Sequence, residues 1–157
     1  MSDAVPVIGD AGLQSPLDIL AGAQFFRRAS PQQRARLASL GTLASFASGS
    51  QIYRVGEPAN NFYVLTDGVV RFSLPMGQRQ ATAGEIIKRG DVFGWAALVG
   101  GTQLRVGTAS CLVPASAFVL DGRRMLAAME ADHGLGYVIL KELTLLITGT
   151  LAAFAAG

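Results

Sequence analysis

Two short segments of this 157-residue chain hold residues with binding chemistry: Arg89-Gly-Asp-Val-Phe-Gly-Trp95, and Arg105-Val-Gly-Thr108 a short apolar stretch later. A glycine leaves neighbouring backbone N–H groups open to an anion, and an arginine presents a planar forked cation that matches a phosphate or carboxylate. Gly94, Trp95 and Ala96 from the first segment, with Arg105, Val106, Gly107 and Thr108 from the second, are therefore the candidate ligand-binding residues. The small Gly107 beside the arginine lets the main chain approach an anion, and Val106 keeps its main-chain donor. Arg105 has a second reading as a surface ion-pair partner of Asp91 or Glu85. Trp95 also has two: an apolar space-filler, or a plate on which a flat ligand stacks.

Catalytic chemistry has little support. The chain has one histidine and one cysteine, so it holds neither a Cys/His metal cluster nor an intrachain disulfide. No Ser/His/Asp or Cys/His constellation and no paired carboxylates at acid–base spacing are visible. Cys111, in Ala109-Ser-Cys-Leu-Val113, reads as a buried strand thiol, and His133, in Ala131-Asp-His-Gly134, as part of a polar turn between helices. Glu57, in Val55-Gly-Glu57-Pro58, reads as a turn residue. The expectation is a non-enzymatic binding domain with neither metal nor resident cofactor.

Composition agrees with a folded domain: half of the residues are apolar, 15% are charged and the net charge is +2. Such a balance marks neither a disordered chain nor a strongly electrostatic nucleic-acid binder.

The elements that must position the candidate site follow from start signals and periodicity. Residues 1–14 read as a flexible lead-in and 15–157 as one domain. Ser15-Pro16 and Ser30-Pro31-Gln32-Gln33 are two N-cap and proline start signals, the second completing a capping box. With Leu37, Leu40 and Leu43 along one side, they predict helices within 16–45. Arg27, Arg28, Arg34 and Arg36 on those helices read as a solvated face, with a basic patch as the alternative. From 46 to 120 short apolar or alternating runs are punctuated by glycine, the pattern of a sandwich or barrel, with a turn over 75–79. Helical spacing returns over 121–155, where the run from Leu135 to Phe154 is longer and more apolar than one buried face requires. Its uncharged part, 143–156, falls short of the roughly 20 residues that cross a bilayer, and Lys141 and Glu142 precede it. A cytoplasmic location is expected, since the N-terminus shows no basic segment leading into an apolar run.

Taken together, Gly49 to Glu57, Phe62 to Phe72, Gly90 to Gly94 and Arg105 to Thr108 resemble the cyclic-nucleotide-binding domain of the catabolite-activator and protein-kinase-A regulatory-subunit superfamily, over roughly Ile19 to Ile147. The resemblance implies an α+β, mainly β, fold: an eight-stranded jelly-roll barrel with helices on both sides. It implies a phosphate-binding cassette at Phe93, Gly94, Ala97, Arg105, Gly107 and Thr108, with cAMP or cGMP as the ligand. Where the family carries a glutamate that accepts the ribose 2′-hydroxyl, this chain has Trp95, whose indole can only donate. The resemblance further implies that the last helices lid the pocket, that the final one pairs with its copy in a homodimer, and that an effector protein reads the outcome. No DNA-binding segment of the family's transcriptional regulators follows Phe154 in this sequence. The expectation is thus a stand-alone sensor that binds a small anionic ligand and signals through its C-terminal helix. The alternative is an interaction or dimerisation module that has lost the nucleotide.

Overall fold

The computed structural model describes residues 14–76, 79–80, 84–101 and 103–156. Apart from Gln14, the expected flexible lead-in lies outside these residues, as does the centre of the expected turn at 75–79. Both start signals act as read. Ser15 caps α1 (Pro16–Gly22) by accepting from Asp18 N–H, and Ser30 and Gln33 form a reciprocal capping box on α2 (Pro31–Ala38). A single 3₁₀ turn, Gln24–Phe26, lies between them.

The expected helical region is too long at its C-terminal end. Helix α2 stops at Ala38, and Gly41–Phe46 forms β1, paired antiparallel with the last strand of the fold. Leu43 continues the apolar side of a helix in sequence but sits opposite Phe118 in a sheet. Gly41 has no room for a Cβ, which would fall 2.6 Å from Val119 O. That close strand approach, rather than local propensity, fixes the boundary.

The remaining strands are β2 (Gln51–Tyr53), β3 (Asn61–Asp67), β4 (Val70–Ser73), β5 (Pro75–Met76), β6 (Arg79–Gln80), β7 (Glu85–Ile87), β8 (Val92–Phe93), β9 (Thr108–Cys111) and β10 (Ala115–Asp121). Eight of the strands form two antiparallel four-stranded sheets, ordered β1-β10-β3-β8 and β2-β9-β4-β7, and β5 pairs with β6 in a small hairpin. The fold is thus α+β, with two sheets and helices before and after them.

The period-two geometry of a strand explains how the layers are joined. Along β3, Phe62 and Val64 pack with the helices while Tyr63 and Leu65 enter a second cluster; along β10, Phe118 and Leu120 divide from Ala115 and Ala117 in the same way. The first sheet therefore buries one face against helices and the other against the opposite sheet. Cys111 is 2% exposed in that second cluster, where burial pushes its thiol pKa up, in keeping with an inert core residue.

Two helices close the chain: α3 (Gly122–Ala131), capped by Asp121, and α4 (His133–Ala156). His133 is exposed as the first residue of α4, and Asp132 accepts from Leu135 N–H at 3.1 Å. Leu135, Ile139 and Leu143 bury one side of α4 in the first cluster. Tyr137, Leu140, Leu145 and Leu151 leave its outer side half or more exposed. By length and composition α4 could cross a membrane. Its inner side, however, is seated on the protein.

Candidate functional site

The expected cassette begins with Gly94, which adopts φ 82° where β8 turns into a 3₁₀ segment, Trp95–Leu98. The left-handed conformation favours glycine, and the site has no space for a side chain: a Cβ would lie 2.8 Å from the Tyr63 ring and 2.9 Å from Asn61 O. Arg105 is held at its backbone by two bonds to the Arg54–Pro58 turn, from its own N–H to Glu57 O (2.7 Å) and from Gly56 N–H to its carbonyl (2.8 Å). Glu57 is a turn residue, as expected; its carboxylate accepts from Arg54 N–H at 2.9 Å.

The Arg105 side chain turns inward. It is 4% exposed, donates from Nη1 to Gly94 O at 3.0 Å and from Nη2 to Asn61 O at 2.7 Å, and lays its guanidinium 4.0 Å from the centre of the Tyr53 ring. Tyr53, Tyr63 and Phe93 form an aromatic stack behind it, with Tyr63 and Phe93 4.8 Å apart and nearly parallel. Burial draws the Arg105 pKa below its usual value, while the two tyrosines favour the cation; burial likewise raises the pKa of Tyr53. Neither Asp91 nor Glu85 pairs with Arg105. Asp91 instead accepts from Lys88 N–H (2.9 Å) and Glu85 from Thr150 Oγ1 (3.1 Å).

The structure brings six of the seven sequence-derived site residues together. Gly94, Trp95, Ala96, Arg105, Val106 and Gly107 line one cavity with Tyr53 and Phe72, but its volume is about 10 Å³. That is room for roughly one water molecule, and four of its lining residues, Tyr53, Phe72, Gly94 and Trp95, also line an adjoining cavity. Thr108 stands apart, its hydroxyl accepting from Val55 N–H at 3.1 Å. Val106 faces outward and Ala96 is buried. Gly107 makes room for the neighbouring strand: a Cβ there would lie 2.5 Å from Ser73 O and 2.6 Å from the Phe72 ring. Gly107→Ala is therefore expected to lower stability by about 1–3 kcal/mol through overpacking, measured as a reduced midpoint in urea. A midpoint unchanged within error would show that the strand can shift.

Trp95 is half-buried and packs against the helix-side core, so the space-filling reading describes most of its surface. Its remaining edge borders a second, larger cavity of about 390 Å³ beneath α4. Sequence reasoning missed the residues that complete this region. Tyr53 and Asn61 hold Arg105, and Glu142 is only 7% exposed inside the apolar helix, where it pairs with Arg28 (3.1 Å) and Arg27 (3.5 Å). Two of the four arginines read as a solvated face thus tether α4 to the N-terminal helices. The available signal was the charged pair Lys141-Glu142 in an otherwise apolar run, since a buried charge requires a partner.

The cyclic nucleotide-binding domain family matches residues 43–132, more than half of the chain. Similar folds occur in a Geobacter metallireducens protein described as cyclic nucleotide-binding (TM-score 0.74, 21% identity, 88% of this chain and 99% of that one) and in the sensor domain of the transcriptional regulator DNR from Pseudomonas aeruginosa (0.68, 23%, 86% and 90%). The regulatory domain of Toxoplasma gondii PKA, solved with cAMP, is similar over 85% of this chain and 47% of its own (0.69, 19%). The nitrogen fixation regulation protein FixK of Azorhizobium caulinodans is 41% identical over 59 residues, a match spanning 38% of this chain and 24% of FixK. With that match over more than half of its length and the two-sheet fold shared with these structures, the chain belongs to the cyclic nucleotide-binding domain family.

Proposed function

We propose that this chain is a non-enzymatic regulatory domain whose phosphate cassette is occupied by its own arginine, and that it acts through the position and pairing of α4. The observation that carries this reading is Arg105, bonded to Gly94 O and Asn61 O beside a cavity of about 10 Å³. A cyclic phosphate would have to displace two charge-assisted bonds, each worth roughly 1.5–3 kcal/mol, before forming its own. It would also meet Trp95 where the family offers a ribose acceptor. In this reading the two sheets close into the family's jelly roll and the protein works in the cytoplasm. It is a homodimer, its exposed α4 face covered by a second copy, and an effector protein reads the placement of that helix.

Calorimetry with cAMP and cGMP tests the proposal. Neither is expected to bind with a Kd below roughly 100 µM, because a lost charged contact costs about two decades. Submicromolar binding of either nucleotide would overturn it.

A second reading, the small-anion sensor, draws on one feature: Arg105 Nε is buried without a hydrogen-bond partner. In that case the guanidinium swings outward to grip an anion. Trp95→Glu, which restores a ribose acceptor, would then bring cAMP affinity up by about one to two decades. No gain in the variant counts against the swing.

A further inference from the structure

A separate cavity of about 430 Å³ lies between the chain after Glu57, the end of the Trp95–Leu98 segment and the first turns of α3. It shares no lining residue with the two cavities described above. Its volume is that of pockets that enclose small organic ligands. Pro58, Ala97 and Leu126 give it an apolar floor, and no aromatic ring is among its described lining residues. A flat heterocycle has nothing to stack on here.

The polar groups that line it are of both signs. Arg123 has neither an ion-pair nor a hydrogen-bond partner among the described residues. Asp121 uses Oδ1 to accept from Arg124 N–H at 3.0 Å, and its second oxygen has no partner among the described residues. Gln103 Nε2 donates to Gly100 O at 2.9 Å, which leaves the amide oxygen of Gln103 as an acceptor. At the start of α3, Gly122 N–H already donates to Asn60 O at 2.8 Å, so attraction for an anion comes from the Arg123 side chain. Asp121, two residues away, repels a simple anion, and Arg123 repels a simple cation. A molecule with one group of each sign satisfies both. The rim adds apolar surface: Leu104, bridged to Pro58, is 53% exposed, and Val99, two residues before Gly101, is 49% exposed.

We propose that this cavity binds a short peptide zwitterion with aliphatic side chains. Its carboxylate lies on Arg123, its ammonium group on Asp121, and its side chains on the floor of Ala97 and Leu126 and the rim at Leu104. A dipeptide fills such a volume more fully than a single amino acid. The site spans a tight joint, since a Cβ on Gly122 would lie 2.8 Å from Ala97 O and 2.9 Å from Asn60 O. A ligand lodged there acts on the placement of α3, and through it α4, whatever the state of the cassette.

Titrations of the full ¹⁵N-labelled protein would use three probes of one shape: L-alanyl-L-leucine, its N-acetyl form, which lacks the ammonium group, and its C-terminal amide, which lacks the carboxylate. The dipeptide is expected to move the Ala97 and Gly122 amide resonances saturably, and each capped form to bind at least about fivefold more weakly. Asp121→Asn keeps a helix cap and should weaken the dipeptide by a similar factor while leaving the acetylated form unchanged. Arg123→Gln should weaken the dipeptide and leave the amide unchanged. Absence of a saturable shift with the dipeptide, a capped form that binds as tightly as the zwitterion, or a dipeptide affinity untouched by either substitution would each overturn the proposal.

Discussion

Arg105→Ala is expected to destabilise the protein by about 2–4 kcal/mol, lowering the thermal midpoint by roughly 5–15 °C for a domain of this size. The substitution takes the guanidinium donors away from Gly94 O, which keeps only its 3.2 Å bond from Ala97 N–H, and from Asn61 O, and removes a cation packed 4.0 Å from the Tyr53 ring. The cost of keeping the cation out of water offsets part of this loss, which holds the estimate below the sum of the separate contacts. An arginine kept in open solvent to receive a phosphate would behave differently, since surface substitutions usually change stability by less than about 0.5 kcal/mol. Calorimetric melting of the ligand-free protein separates the two cases, and a midpoint shift under about 2 °C would refute the structural role.

Arg105→Lys sharpens that comparison. Lysine keeps the charge but replaces a planar fork with a single ammonium group, which cannot reproduce both carbonyl bonds and the flat contact with Tyr53. It should recover less than half of the lost stability. At an anion site governed by charge alone, it would retain much of the function.

The sequence made the glycine turn, the arginine and their order along the chain legible, and with them the family and the α+β architecture. The same residues did not show which way Arg105 points. Its direction depends on carbonyls contributed by Asn61 and Gly94 and on an aromatic stack from β2, β3 and β8, all remote from it in sequence. Gly107 illustrates the same limit: a missing Cβ fits close approach to an anion as well as to a strand, and only the neighbouring Ser73 and Phe72 decide between them. The β1 boundary failed because Leu40 and Leu43 fit a helical repeat locally, whereas the pairing with β10 is set by residues more than seventy positions later. Glu142 was legible as an anomaly in an apolar helix, but its arginine partners became identifiable only once α4 was placed against the N-terminal segment.

The double substitution Leu140→Asp, Leu151→Asp is expected to convert a homodimer into a folded monomer, observed by light scattering at high micromolar concentration. Leu140 and Leu151 are 50% and 54% exposed, and Tyr137 adds a still more open aromatic surface on the same helix. A helix seated on its protein by Leu135, Ile139 and Leu143, with apolar side chains still facing outward, gains by burying them against an identical copy in a two-fold arrangement. Leu146 and Ile147 belong to the same apolar run but pack against the helix-side core, so a charge there would test folding rather than assembly. The outward positions avoid that ambiguity: each aspartate replaces an exposed leucine, and the monomer's helical circular dichroism should be preserved. Like charges brought together across a two-fold interface compound the loss of apolar contact, so dissociation should be nearly complete where the parent is fully paired. A parent protein already monomeric at those concentrations would remove the homodimer from the proposed function, and a double variant that stays dimeric would place the interface elsewhere.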